Sequence, residues 1–346
     1  MIGAANLGAF IAQVPHHVGY ELDGHITVIP VRATGQPVVL ATSPWESNLE
    51  TSDMRAEFAE SVTEVARREG EGERFVIIGW GAGGAQRAEL SNDTFLRAAR
   101  APDTLLVHVQ DGAWRQSVMG APWGEWHDLP NLDAYSVSAG RVQPARTRKE
   151  LGDRYEPGPA VFADQAPQGL TWTDHAPSFR AQMAQRTLAR LAKPGHGQDP
   201  GRMATVAHLV VTDRAVRDAV LVDAAADLAR TDALVRIYQG APEQLRGSLA
   251  AAAGTALYLS GEHPVASEAV LAHSQDRLAE LTRTASRLGM NPLTVKKELT
   301  VQLETSLSAA DETWHQQQAT HGVRPHPQPP STLDSAAAGP TPGLLL

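Results

Sequence analysis

The sequence contains no cysteine, few aromatic residues and only four lysines among its 30 basic side chains. Without cysteine the chain has no disulfide, no thiolate nucleophile and no thiolate zinc site, so packing must supply its stability. No apolar run approaches the roughly 20 residues that span a bilayer. The first charged side chain is Glu21, so the cationic start of a secretory signal is missing. We therefore expect a cytoplasmic protein with no membrane partner.

The composition that remains is that of a globular protein. Of 346 residues, 42% are hydrophobic and 20% charged, which excludes a wholly disordered chain or a fibre. The length predicts two domains, or one domain with a large extension. A formal net charge of -9 argues against broad attachment to nucleic acid or to an anionic membrane.

Residues 1–118 alternate between strand and helix patterns. An apolar helix is predicted over residues 6–14 and should end at Pro15. Strands are predicted over 25–31, 36–42, 74–79 and 104–109, and helices over 52–69 and 85–100. The third and fourth strands are continuous apolar runs, which is typical of strands covered on both faces. The pattern predicts a mixed sheet with packed helices, within an α+β or α/β fold.

The rest of the chain divides into three stretches. Glycines and prolines interrupt every period over residues 119–160, which indicates an irregular connector. Residues 161–318 are rich in alanine and helical in pattern, so they predict an all-α domain. Residues 319–346 consist largely of Pro, Ser, Ala and Gly and cannot bury enough apolar surface to order themselves, so we predict a disordered tail.

Several segments together resemble a known family. They are Leu7–Pro15, Gly19–Tyr20, Ile26–Ile29, Val76–Gly81, Val107–Trp114, Arg217–Ala219 and Ala256–Ala269. In this order they are similar to the actinobacterial family called domain of unknown function 4192, and they span most of residues 1–310. The resemblance implies the architecture above and an actinobacterial or phage setting. It implies no activity, because none is assigned to the family.

The last of these segments resembles a tetratricopeptide-like helical hairpin in the family. One such hairpin does not make a solenoid, because these repeats bury their faces by stacking several copies. The sequence departs from many relatives in the segment after Trp114, where it has no cysteine. A cysteine-based metal site in those relatives would therefore be absent here.

A glycine-rich turn is the first candidate binding site. Gly79, Gly81, Gly83 and Gly84 follow a predicted strand and precede a helix, where backbone amides can bind phosphate. The turn lacks the Lys-Ser/Thr pair of a P-loop and departs from the dinucleotide spacing. A flexible strand-to-helix turn is the simpler interpretation, and a phosphorylated small molecule is the functional one.

Three side chains are weak catalytic candidates, namely His16, His108 and Asp111. With His17, His127 and Asp128 they could converge at one end of the sheet and bind a divalent metal or supply a general base. None has a diagnostic spacing. A hydrogen-bonded core histidine better explains His108, and a turn residue better explains Asp111. We therefore predict no metal site and leave the cofactor open.

The compact basic patch of the sequence lies in the predicted connector. It consists of Arg141, Arg146, Arg148 and Lys149. Such a patch can contact a phosphate backbone or an acidic partner. No DNA-binding motif accompanies it, so a solvated loop is the simpler interpretation and nucleic acid is an unfavoured partner.

The sequence as a whole favours a noncatalytic interaction or accessory protein. It carries no strong enzyme signature, and the predicted helical hairpin and tail suit an unidentified protein partner. Two alternatives stay open. One is an enzyme or regulator that binds a phosphorylated small molecule at Gly79–Gly84, and the other is a DNA-associated protein that uses the patch from Arg141 to Lys149.

Overall fold

The N-terminal part of the chain is a six-stranded mixed sheet. A computed structural model describes residues 4–32, 34, 37–38, 40–68, 74–99, 103–118, 121–132, 143–162, 174–195, 199–261 and 264–320. The strands are β1 (His25–Val31), β2 (Ala41–Pro44), β3 (Arg74–Trp80), β4 (Asp103–Gln110), β5 (Ala113–Val118) and β6 (His127–Asp128). Their order across the sheet is β2-β1-β3-β4-β5-β6. Only the β3–β4 pair is parallel among these strands, which confirms the predicted mixed sheet.

Helices cover both faces of this sheet. They are α1 (Ala4–Val18), α2 (Trp45–Asn48), α3 (Ser52–Arg68) and α4 (Gly84–Ala99). The apolar side of α1 packs on one face, against residues such as Ile78 and Val107. Helices α3 and α4 pack on the other face, against Ile77 and Leu106. Neighbouring residues of one strand thus enter different cores, which explains why the strands read as continuous apolar runs.

The first helix is longer than predicted. Pro15 lies inside α1, and the helix continues to Val18, so the prediction that Pro15 ends it is wrong. A proline removes one backbone donor but leaves its own carbonyl free, and the Gly19 amide donates to that carbonyl at 2.7 Å. Val14 and Val18 are buried on either side of the proline. Their packing stabilises the last turn.

The second strand is displaced from its predicted position. We predicted it over residues 36–42, but β2 begins at Ala41, which pairs with Val28. Pro37 forms only an isolated bridge with Val31. Proline has no N–H to donate to a strand ladder, so regular pairing starts beyond it. The strand lies at the edge of the sheet.

The C-terminal part is helical, as predicted. Helix α5 (Arg148–Asp153) lies in the predicted connector, and eight helices follow among the described residues: α6 (Pro177–Leu191), α7 (Pro200–Thr212), α8 (Arg214–Ala224), α9 (Leu228–Gln239), α10 (Glu243–Ser260), α11 (Pro264–Leu271), α12 (Arg277–Arg287) and α13 (Pro292–Thr320). Every residue of α10 from Leu249 to Leu259 is buried. Its alanines and Gly254 allow close approach, since a Cβ on Gly254 would lie 2.5 Å from the Leu271 side chain of α11.

The chain between the two parts contacts both of them. Within the predicted connector, β6 pairs with β5, and Ala145 exchanges backbone hydrogen bonds with residues 19 and 21 after α1. Further along, the amide of Gly158 donates to the Gln239 carbonyl at the end of α9. Tyr155 packs against the core of the helical part and against the α1 core. The segment over 143–162 therefore ties the helical part to the sheet.

Two further predictions concern the chain's surroundings and its end. Among the helices that the structure describes, none is long and apolar enough to cross a membrane. Helix α13 continues to Thr320, two residues past the predicted end of the helical domain. The remainder of the predicted tail, residues 321–346, lies outside the described residues.

Candidate ligand-binding cleft

The glycine-rich turn between β3 and α4 is closely packed. A Cβ on Gly79 would lie 1.9 Å from the Gly84 carbonyl oxygen, and a Cβ on Gly84 would lie 2.5 Å from the Gly79 oxygen. Gly81 and Gly83 have φ of 76° and 74°, a left-handed conformation that glycine adopts at little cost. All four candidate glycines therefore have a structural reason to be glycine.

Protein groups already occupy the surroundings of this turn. Arg87 donates to the carbonyls of residues 80 and 82, at 2.7 and 2.6 Å. The His108 ring lies 3.0 Å from the Gly81 carbonyl. The Asp23 carboxylate fills the position where a Gly81 side chain would stand. A carboxylate at that position repels a phosphate, so the geometry does not favour a phosphate site formed by the turn itself.

The catalytic candidates lie in different places. His108 is buried on the α4 side of the sheet, where burial lowers its pKa and its hydrogen bond to Gly81 opposes that shift. His16 belongs to α1, on the opposite face of the sheet. Asp111 and Gly112, with φ of 50° and 76°, form the turn between β4 and β5. Among the described residues, no cluster of three or more His, Asp or Glu could hold a metal ion.

The basic patch is partly neutralised by neighbouring carboxylates. Arg148 forms an ion pair with Glu268 of α11 at 2.5 Å, and Lys149 forms one with Asp153 at 2.9 Å. The backbone amide of Arg146 donates to the Glu150 carboxylate, while Arg141 lies outside the described residues. These carboxylates weaken the patch as a surface for a nucleic-acid backbone.

A cleft of about 230 Å³ lies where the two parts of the chain meet. Helix α1 contributes His16, the one weak catalytic candidate found there. The connector and α5 contribute Gln143, Leu151, Arg154 and Tyr155, and α9 contributes Leu228, Asp232, Val235, Arg236 and Gln239. Clefts between structural units are common places for small-molecule sites.

Hydrogen bonds hold three of the polar side chains that line this cleft, those of Arg154, Arg236 and Gln239. Arg154 donates to the Gln143 carbonyl at 2.8 Å and to the Glu150 carboxylate at 3.4 Å. Gln239 donates to the Arg154 carbonyl at 2.8 Å, and Arg236 donates to the Leu191 carbonyl at 3.0 Å. Each guanidinium has five N–H groups, so donors remain available to a ligand.

Asp232 and Tyr155 are titratable residues of the cleft whose side chains form no hydrogen bond or ion pair with the described residues. Burial raises the pKa of the Asp232 carboxyl, Arg236 opposes this shift, and the charge of Asp227 adds to it. Burial and the neighbouring Asp232 raise the pKa of Tyr155 to about 12. Titratable groups that are shifted by burial and meet in a cleft are typical of functional sites.

Sequence reasoning missed most of this cleft. Arg154 and Tyr155 lie in a stretch that was predicted to be irregular, and Asp232 and Arg236 are four residues apart on an alanine-rich helix. Their four-residue spacing places both side chains on one face of α9, and this spacing is the feature of the sequence that indicates a shared polar face. Only the docking of α9 beside α1 shows that this face lines a cavity.

Comparisons with known protein families, with curated proteins and with solved structures found no match to this chain. The resemblance to the domain of unknown function 4192 therefore stays a prediction, and it rests on the segments named above.

Proposed function

We propose that this protein is a noncatalytic, cytoplasmic accessory protein that binds a small zwitterion in the cleft between α1, α5 and α9. The observation that carries the proposal is the carboxyl of Asp232. It lies partly buried in the wall of the cleft, burial raises its pKa, and no described residue donates a hydrogen bond to it. A cationic amino group of a ligand would supply the missing partner.

The other end of the ligand follows from the positive charges near Asp232. Arg154 and Arg236 line the same cleft, and guanidinium groups bind carboxylates and phosphates well. The cavity volume of about 230 Å³ is below that of sites for drug-sized ligands, roughly 300–1,000 Å³. A molecule of amino-acid size, with one amino and one anionic group, fits both the volume and the charges.

Calorimetry and thermal shift with the full chain test this proposal. The probes are the common L-amino acids, together with matched carboxylic acids that lack the amine and amines that lack the carboxylate. We expect at least one zwitterion to bind, with a stabilisation of about 2.7 kcal/mol at 100 times its dissociation constant. The matched carboxylic acid and the matched amine should each bind more weakly than that zwitterion. If no zwitterion binds, or if the fragments bind as well as the parent, the proposal is wrong.

Asp232→Asn should weaken this binding about tenfold or more, because it removes the charge that faces the amine. Glu243→Gln, an exposed change on α10, is the matched control and should leave binding unchanged.

Without ligand, Asp232→Asn should raise the unfolding temperature at pH 7. The raised pKa of Asp232 means that its ionisation destabilises the fold as pH rises through that pKa. The difference from the unchanged protein should vanish below pH 3.8, the ordinary carboxyl value.

Self-association is a second candidate function, favoured by exposed apolar side chains on α12, on α13 and in the turn between them. We call this set the apolar row, and it consists of Leu281, Leu288, Met290, Leu293 and Val301, which are 42% to 66% exposed. No residue of α13 is buried. A concentration of large exposed apolar side chains marks an interaction surface, and the partner we propose is a second copy of this chain.

Sedimentation velocity over a range of protein concentrations tests the second candidate. We expect a dimer that Leu288→Glu and Leu293→Glu together convert to monomer. Exposed Val118, on β5 and outside the row, supplies the control Val118→Glu, which should leave the dimer intact. A chain that stays monomeric at all concentrations contradicts the second candidate and leaves the zwitterion proposal untouched.

A further inference from the structure

A second group of unusual side chains lies on the α4 side of the sheet, away from the cleft. The guanidinium carbon of Arg115 lies 5.3 Å from the ring centre of Trp123 and 4.7 Å from that of Trp126. Both distances are within the cation–π range of about 6 Å. Arg115, Trp123 and Trp126 form what we call the Arg115 platform.

Hydrogen bonds fix the platform to the core of the sheet. The Arg115 Nε donates to His108 Nδ1 at 3.3 Å, and His108 Nε2 lies 3.0 Å from the Gly81 carbonyl. This pattern assigns the proton to Nε2 and leaves Nδ1 as an acceptor. Burial and the charges of Arg115 and Arg87 lower the pKa of His108, so the neutral ring that accepts from Arg115 is the favoured form.

The outer nitrogens of Arg115 have no protein partner in the described part of the chain. No carboxylate there lies within ion-pair distance of them. The nearby Glu89 carboxylate accepts a hydrogen bond from Trp123 Nε1 at 2.7 Å, which fixes the indole against α4. The guanidinium is therefore held rigid by two rings and a histidine, while its terminal N–H groups stay available.

Two more features distinguish the platform from a purely structural cover. Trp126 is 45% exposed, whereas an indole that only seals the sheet would be buried. In the register of the sheet, Arg115 of β5 lies opposite His108 of β4, and His108 lies opposite Gly79 of β3. The platform is therefore near the carboxyl ends of the parallel strands β3 and β4. Ligands of α/β sheets commonly bind at that edge.

We infer that the Arg115 platform binds a nucleoside monophosphate, with the phosphate on Arg115 and the base stacked on Trp126. Guanidinium groups bind phosphate oxygens in a bidentate manner, and an exposed indole is a stacking surface for a planar base. This site uses neither the amides of the glycine-rich turn nor the zwitterion cleft. Its test is therefore independent of the test of the proposed function.

Titration of the full chain with AMP, followed by tryptophan fluorescence and calorimetry, tests the inference. Ribose 5-phosphate supplies the phosphate without the base, and adenosine supplies the base without the phosphate. We expect AMP to bind, and each fragment to bind at least tenfold more weakly. Equal affinity for AMP and ribose 5-phosphate would overturn the stacking role of Trp126. Absence of AMP binding would overturn the site.

Three variants assign the binding to the platform. Arg115→Lys keeps the charge but loses the bidentate geometry, and should weaken AMP binding about tenfold. Trp126→Ala should weaken AMP but leave the affinity for ribose 5-phosphate unchanged, which loss of folding would not do. Arg67→Gln, on the exposed side of α3, is the control and should change neither affinity. AMP binding that survives Arg115→Lys and Trp126→Ala unchanged contradicts the inference.

Discussion

Replacement of Gly79 by alanine should destabilise the protein by about 3 kcal/mol or more. The added Cβ would lie 1.9 Å from the carbonyl oxygen of Gly84 and 2.6 Å from its carbonyl carbon. Both are backbone atoms, so no rotamer change relieves the overlap, and the start of α4 must move away from β3. Urea denaturation that follows helical circular dichroism measures the loss.

Gly247→Ala is the matched control for this change. Gly247 lies within α10, and nothing stands within 4 Å of a Cβ placed there. The same substitution should therefore stabilise the protein by about 0.5–1 kcal/mol, because alanine favours a helix over glycine. A Gly79→Ala variant as stable as the unchanged protein would show that the turn is not closely packed.

Replacement of Tyr155 by alanine should cost about 2–3 kcal/mol and should uncouple the two parts of the chain. Its ring packs against the core of the helical part and against the core beneath α1. Loss of the ring removes apolar contact on both sides at once. We expect the single unfolding transition to separate into two, measured by calorimetry and by circular dichroism.

Tyr155→Phe separates the packing of the ring from the chemistry of its hydroxyl. The ring stays, and the hydroxyl has no hydrogen-bond partner among the described residues, so stability should change by less than about 1 kcal/mol. A single transition in Tyr155→Ala, at an unchanged denaturant midpoint, would contradict the bridging role of this residue.

Local patterns in the sequence were sufficient for most of the secondary structure. The apolar runs at 74–79 and 104–109 predicted β3 and β4, and the three-and-four spacing over 52–69 predicted α3, which the structure gives as Ser52–Arg68. These elements bury their apolar residues against more than one neighbour. Their apolar periodicity can therefore be recognised in the sequence without knowledge of the elements that pack against them.

Long-range packing decided the features that the sequence did not predict. Helix α1 continues past Pro15 because Val18 is buried in the core. Strand β2 begins at Ala41 because its regular pairing with β1 starts only beyond Pro37. Neither outcome follows from local preference, since a proline usually ends a helix and a run of apolar and β-branched residues usually forms a strand.

The sequence by itself determined the mixed sheet, the helical C-terminal part and the glycine-rich turn, because backbone preference and apolar periodicity are local properties. Only the tertiary structure decided which polar side chains meet. Asp232 and Arg236 face Tyr155 in a cleft, and Arg115 lies between Trp123 and Trp126, across loops that carry no periodic signal. Binding sites depend on contacts between residues far apart in the chain, and the packing of whole elements alone brings such residues together.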